Sequence, residues 1–473
     1  MNDIIEELLE EARFREKLED HGPLAFSKSI PPLWAHQEVD IQRMLTTPGL
    51  LNASDPGTGK TRVVIEAMKQ LKLPTLILAP KSILSCAWGN DIKKFAPELK
   101  FTIATALNRT EAFESNANII ITNHDAVTWL IKPENQHLLR KFSTGLLVID
   151  ESTCYKNPTA KRSKAAAKIR KLFARCTCMS GTPTPQGIID VWHQMFLVDN
   201  GGILGTSYYR FRANTYTPVN KGAFTEWKEK PGVADAIGDL ISGVTIRNKK
   251  EDCLDLPENL IVNRSIQLSA KHKLLYNDMK RQAVMELETG TVTAVNAAVL
   301  LSKLLQIASG AVYDEQGIAH IVDTGRYELV MDLVAERDHS VVVFNWRHQR
   351  DQMIAIAEKR DIKYALIDGS VNDMYQRTNA VNGFQKGDYQ VIFIHPQSAG
   401  HGITLTKGCA TIWASPTYNS EFFVQANARI HRGGQLRKTE TILISAEGTA
   451  DEAAYKALNN KVLNMSNLLE ILS

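Results

Sequence analysis

SDPGTGKT, residues 54–61, leaves a short strand-like stretch and runs straight into the helical RVVIEAMKQL of residues 62–71. A loop of this kind wraps backbone N–H groups around phosphate oxygens, so glycine is needed where a Cβ would block the approach. Gly57 and Gly59 stand at such positions, with Thr58 between them. Lys60 is placed to reach the β- and γ-phosphates and Thr61 to ligate Mg2+, and the helix that follows adds the positive end of its dipole. The strict pattern G-x-x-x-x-G-K-[ST] is not met, because Ser54 occupies the place of the first glycine. The strand–loop–helix context supports the phosphate-loop reading all the same.

Outward from this loop, short apolar runs alternate with helical stretches. They are PTLILA (74–79), NIIIT (118–122), GLLVID (145–150) and CTCMS (176–180). Runs apolar on both faces fit a parallel sheet buried under helices, and the alternation predicts a doubly wound α/β domain. A second set, VVVF (341–344), YALI (364–367), QVIFI (390–394), ATIW (410–413) and TILIS (441–445), predicts a second sheet. Between them the texture changes. Residues 200–235, rich in Gly, Tyr, Phe and Asn, read as an irregular insertion, and 269–288 and 292–309 read as two helices. The resulting division is an accessory helix (1–29), a first lobe (30–199), a helical insertion and linker (200–324), a second lobe (325–447) and a bracing C-terminal helix (448–473).

GLLVIDES delivers Asp150 and Glu151 to the carboxyl end of a buried strand, where open α/β sheets bind their ligands. Asp150 suits a Mg2+ ligand, and Glu151 suits the group that orients and deprotonates an attacking water. SGTPT (180–184), again directly after a strand, suits a loop that senses the γ-phosphate.

Bulk properties set the outer limits. At 473 residues the chain predicts two or three domains, and 44% hydrophobic with 23% charged residues is a soluble globular composition. A net charge of +3 does not by itself predict a nucleic-acid partner. Cys86, Cys154, Cys176, Cys178, Cys253 and Cys409 form no C-x-x-C pair and no zinc spacing, which predicts reduced structural thiols. No segment has the ~18 uninterrupted apolar residues that cross a bilayer. The acidic start, MNDIIEELLEEARFREKLED, lacks the basic region of a signal peptide. The chain therefore reads as intracellular, in the cytoplasm or on the nucleoid. Ile4, Ile5, Leu8, Leu9 and Ala12 recur at helical spacing, predicting an amphipathic helix that packs on the first lobe or docks a protein partner. From Ser152 to Ile189 there is no carboxylate, while Lys156, Lys161, Arg162, Lys164, Lys168, Arg170, Lys171 and Arg175 all fall there. That one-signed run predicts a polyanion contact.

The order Gln37, Gly-Lys-Thr, Asp-Glu-Ser-Thr, Ser-Gly-Thr-Pro resembles the superfamily 2 helicases, and especially their Swi/Snf-like branch. SAGHGITLT (398–406) and QANARIHRGGQ (425–435) are similar to the fifth and sixth motifs of that branch. IDGS (367–370) and IRNKKEDCLDLP (246–257) are also similar to it, and the resemblance covers about residues 30–450. It implies two tandem RecA-like lobes with ATP and Mg2+ between them. It makes Gln37 the adenine-reading residue and adds Gly402 to the ATP contacts. It places Gln425, Arg429 and Arg432 in the catalytic set, with the two arginines at the γ-phosphate. It also implies nucleic-acid contacts at Lys81, Ser82, Asn123, His124, Asn345, Trp346, Ser398 and Thr404, made to the backbone and without sequence specificity. The activity it implies is a DNA-stimulated ATPase that translocates on double-stranded DNA. A strand-separating helicase on DNA or RNA is the alternative within enzymes. An ATP-gated clamp that recruits a nuclease or repair protein is the alternative of another class.

Overall fold

The apolar runs quoted above all become strands. The computed structural model describes residues 30–220, 225–288, 294–371, 374–399 and 402–471; the N-terminal helix predicted within 1–29 lies outside them. The first lobe begins with β1 (Gly49–Asn52), β2 (Thr75–Ala79), β3 (Phe101–Ala104), β4 (Ile119–Asn123), β5 (Leu146–Asp150) and β6 (Arg175–Met179). An antiparallel hairpin follows, β7 (Tyr216–Asn220) with β8 (Thr225–Glu229), and then β9 (Thr245–Ile246) returns to pair with β1. The resulting seven-stranded sheet has the order β3-β4-β2-β5-β6-β1-β9 and is parallel throughout.

The second lobe holds β10 (Asn259–Ile266), a small hairpin of β11 (Ala311–Tyr313) and β12 (Ala319–Ile321), and then β13 (Ser340–Val343), β14 (Tyr364–Ile367), β15 (Val391–Ile394), β16 (Ala410–Trp413) and β17 (Thr439–Ala446). Its six-stranded sheet, β10-β17-β16-β13-β15-β14, is also parallel. In both lobes successive residues of a central strand serve opposite cores. Leu147 and Ile149 of β5 pack into one cluster and Leu146 and Val148 into the other. Val342 of β13 is separated in the same way from Val341 and Val343. With both faces covered by helices, neither can be polar, which is why these strands read as unbroken apolar runs. Each such side chain contributes about 1.5–3 kcal/mol by its burial.

Two boundaries move from their expected places. β9 and β10 both lie within 200–324, so this segment is not merely an insertion: it closes the first sheet at one end and opens the second at the other. Residues 200–235 are also more regular than expected, with a helix Tyr208–Thr215, the β7–β8 hairpin and the start of the helix Val233–Ser242. Arg212 fastens that hairpin, its guanidinium lying 4.1 Å from the centre of the Trp227 ring. The two predicted linker helices span Ala270–Glu288 and Ala294–Ala308.

The C-terminal helix, Ala450–Ile471, spans the two lobes. Tyr455 and Leu458 join the second lobe's core, whereas Met465 and Leu469 pack in the first lobe's. A buried ion pair anchors its start, with Arg326 donating to Asp451 at 2.5 Å and also to the carbonyls of Ala308, Ala414 and Ile444. Cys176 and Cys178 share one face of β6 in the first lobe's core, and Cys154, Cys253 and Cys409 are free thiols as well.

Candidate active site

The phosphate loop takes its shape from its glycines and from the linker. Gly57 (φ +93°) and Gly59 (φ +82°) are left-handed, a conformation that glycine adopts without strain. A Cβ on Gly59 would stand 2.2 Å from Gln37 Nε2, and one on Gly57 would stand 3.2 Å from Arg432 Cβ. The loop is thus overlaid by a first-lobe helix on one side and by a second-lobe turn on the other. Gln37 is 4% exposed, and its Oε1 accepts the Trp34 N–H at 3.0 Å. Thr58 braces the loop from within, donating its hydroxyl to the Asp55 carbonyl at 2.9 Å. Lys60 folds back along the loop, its Nζ donating to the carbonyls of Ser54 (2.6 Å) and Asp55 (3.0 Å). Burial pushes this ammonium below the ordinary lysine range, while Glu151, Asp150 and Asp55 pull it back up.

The departure at Ser54 has a structural cause. Its fully buried hydroxyl accepts the Asn248 backbone N–H at 3.0 Å and the Asn248 Nδ2 at 3.1 Å. Asn248 Nδ2 also donates to Asp40 Oδ2 at 2.7 Å. Next to it, Asp55 accepts from Arg247 (2.6 Å) and from the Lys250 N–H (2.9 Å). The IRNKK stretch after β9 therefore grips the loop, a role not foreseen from the sequence.

β5 presents the carboxylates. Asp150 Oδ2 accepts the indole N–H of the fully buried Trp88 at 2.8 Å, and its Oδ1 accepts the Glu151 N–H at 3.0 Å. Glu151 has φ +50°, a strained conformation for a residue with a side chain and one that recurs at functional sites. Ser152 donates to Gln194 Oε1 at 2.7 Å, and Gln194 Nε2 donates to the carbonyls of Pro183 (2.6 Å) and Asp190 (2.9 Å). Trp88 and Gln194, neither of them foreseen from the sequence, thus hold Asp150 and join the carboxylate loop to SGTPT. Their only sequence signal was a tryptophan and an amide within otherwise apolar surroundings.

The second lobe completes the site. A cavity of about 530 Å³ is lined by Gln37, Gly57, Gly59, Lys60, Thr61, Asp150, Glu151 and Gly181 from the first lobe and by Gly402, Thr404, Gln425, Arg429 and Arg432 from the second. Arg429 and Arg432 both donate to the Ile403 carbonyl, at 3.2 and 3.1 Å. Burial, reinforced by Arg432 and opposed by Glu151, takes Arg429 down to about 9. Burial lowers Arg432 as well, against the pull of Asp91. Two hydrogen bonds tie the lobes beside the cavity: Ser420 donates to the Pro185 carbonyl at 2.8 Å, and Thr153 donates to Glu421 at 3.2 Å. Gln425 lies one turn from Glu421 and donates to it at 3.4 Å.

The residues expected to contact nucleic acid are less uniform. Lys81 is exposed and Ser82 half-buried on the turn after β2, and Asn123 ends β4, where its Oδ1 accepts from Arg109 at 3.1 Å. His124 does not face solvent: it is 6% exposed, with Nδ1 3.2 Å from the Tyr155 hydroxyl. Asn345 uses its Nδ2 to hold the Ser415 and Pro416 carbonyls, both at 3.1 Å. Trp346 is half-buried at the start of the helix Arg347–Lys359. Ser398 is half-buried after β15, its carbonyl accepting from Arg377, whereas Thr404 lines the inter-lobe cavity instead.

The basic stretch 156–175 also divides. Arg170 is buried against the carbonyls of Leu197, Phe173 and Val198, and Arg175 holds those of Met44, Leu45 and Thr47. Lys156 and Arg162 lie near Asp190 and Asp125, which leaves Lys161, Lys164, Lys168 and Lys171 as the exposed charges. Half of the expected basic face therefore has a structural role. Among the described residues no helix is long and apolar enough to cross a membrane.

Against known proteins, a family model for an SNF2-related domain matches residues 10–309, and one for a helicase conserved C-terminal domain matches residues 325–434. The chain is 28% identical over 461 residues to protein p41 of Acyrthosiphon pisum secondary endosymbiont phage 1, covering 91% of this chain and 95% of that one. It is 28% identical over 439 residues to an uncharacterized ATP-dependent helicase of Mycoplasma genitalium, covering 87% of this chain but only 39% of the helicase. It is also similar to the solved Sulfolobus solfataricus SWI2/SNF2 ATPase core in complex with dsDNA, at 22% identity and a TM-score of 0.44, covering 94% of this chain and 97% of that one.

Proposed function

Since this chain belongs to the SNF2-related domain family and is an ATP-hydrolysing enzyme, we propose that it is a sequence-nonspecific translocase on duplex DNA, driven by hydrolysis in the cleft between its lobes. The observation that carries the reading is the single cavity into which Lys60 and Glu151 project from one lobe and Arg429 and Arg432 from the other. Three cations whose charged forms burial disfavours make a site that a bound polyphosphate stabilises. Lys60 meets the β- and γ-phosphates, Glu151 orients the attacking water, and the two guanidiniums take up charge spreading over the γ-phosphoryl oxygens. Gln37, already against the loop, reads adenine. Thr61 and Asp150 are hard oxygen donors beside the same cavity, and they fit a Mg2+ held mainly by nucleotide phosphates, a mode that needs only one or two protein carboxylates. When bound, that ion neutralises charge on the β- and γ-phosphates.

Because the arginines come from the opposite lobe, hydrolysis requires a closed cleft, and nucleotide exchange between closed and open states supplies the stroke. The track runs past Lys81, Ser82 and Asn123, and past Trp346 and Ser398. All five lie at carboxyl ends of strands, and β2 and β4 are separated from β1 by β5 and β6. Preference for duplex DNA rests on kinship with the Swi/Snf-like branch. Arg429→Ala tests the cross-lobe claim: it should bind ATP yet turn it over about 10³–10⁵-fold more slowly. Turnover at the wild-type rate would mean that the second lobe does not complete the site.

A further inference from the structure

The linker between the lobes touches both partners of the cavity. Beyond β9 it is fastened to the phosphate loop, with the Asp55 N–H donating to the Asn248 carbonyl at 3.0 Å and the Lys250 N–H donating to Asp55 Oδ2 at 2.9 Å. The Lys250 side chain then crosses to the second lobe, where Nζ donates to His431 Nδ1 at 2.8 Å and to the His431 carbonyl at 3.1 Å. The other ring nitrogen, Nε2, lies 2.8 Å from the Pro257 carbonyl. A carbonyl only accepts, so Nε2 carries the proton and Nδ1 receives the ammonium. A neutral ring agrees with the burial and with the Lys250 charge, which both hold His431 below the ordinary histidine range. Two residues of one linker segment thus grip His431 by both edges, and His431 lies between Arg429 and Arg432.

We propose that Lys250 is a positioning residue that straps the phosphate loop to the turn presenting Arg429 and Arg432. The proposal rests on the cross-lobe reading of Arg429 given above. Neither Lys250 nor His431 lines the nucleotide cavity; both face the adjoining cleft under the linker. The strap therefore acts on the arginines and not on ATP. Through it, a shift of the loop is carried to the arginine turn by two hydrogen-bonded links, Asp55 to Lys250 and Lys250 to His431.

Lys250→Met keeps the aliphatic stem and removes the ammonium. In the full chain it should lower kcat by about ten- to a hundredfold, as misplacement of a catalytic group does, and leave the KM for ATP nearly unchanged. Combined with Arg429→Ala, it should add a clearly smaller loss than it causes alone, because the strap then has only Arg432 left to seat. His431→Gln retains an acceptor for Lys250 and a donor for Pro257, so it should keep more turnover than His431→Leu. This pair reads the same contact from the other side if Lys250→Met disturbs folding. Independent, multiplying losses in the double variant, or equal turnover of the Gln and Leu variants, overturns the strap. Wild-type turnover in Arg429→Ala alone overturns the arginine reading beneath it, so the two failures are told apart.

Discussion

Trp88 donates its indole N–H to Asp150 Oδ2 at 2.8 Å, so the carboxylate proposed to hold Mg2+ is oriented by a side chain that does not belong to its own loop. Trp88→Phe keeps a ring in the core and removes the donor. The Mg2+ concentration for half-maximal hydrolysis at saturating ATP should then rise by about 10–100-fold, the usual loss when such an outer partner is removed. An unchanged Mg2+ dependence would separate Asp150 from the metal.

Ser54→Gly would restore the strict phosphate-loop pattern, and here it should do harm. The substitution removes the acceptor of two hydrogen bonds from Asn248 inside the protein. Asn248 Nδ2 keeps its bond to Asp40, but the Asn248 backbone N–H is left without its acceptor, a loss that costs about 1–3 kcal/mol. The urea midpoint of the first lobe should fall accordingly. A neutral or stabilised variant would show that Asn248 finds another partner.

Asp40 adds a pH dependence of defined sign. Burial raises its carboxyl from 3.8 to about 6, against the opposing effects of His36, the Asn248 bond and Arg43. A carboxyl raised above its unfolded value is protonated more readily in the folded state, so its contribution is present at low pH and lost as pH rises from about 4 through about 6. Asp40→Asn keeps an acceptor for Asn248 and removes the titration. Relative to wild type, it should flatten the pH dependence of the unfolding free energy from urea titrations between pH 4 and 7, by an amount on the order of 3 kcal/mol, the equivalent of a rise from 3.8 to about 6. Parallel curves for the two proteins would contradict the assignment.

The central strands were legible because burial on both faces leaves no choice of residue type, as at Val148 and Val342. β9 and β10 were not. β9 has two residues, and β10 is a half-exposed edge strand whose Asn263 and Arg264 break the apolar run. The ATP-site residues were legible from order and spacing, because their chemistry fixes their identities. Their supports, Trp88, Gln194, Asn248 and Lys250, were hidden, since a hydrogen bond between distant residues leaves no periodic trace. The basic run of 156–175 misled for the same reason: Arg170 and Arg175 serve backbone carbonyls that only the fold brings near.

The central claim is best tested by steady-state ATP hydrolysis without nucleic acid and then with duplex DNA, single-stranded DNA and RNA, all at one stated salt concentration. Strongest stimulation by duplex DNA is the predicted result. Equal or greater stimulation by single strands or RNA would contradict the duplex translocase and favour a strand-separating helicase, and no stimulation by any of them would favour an ATP-gated clamp.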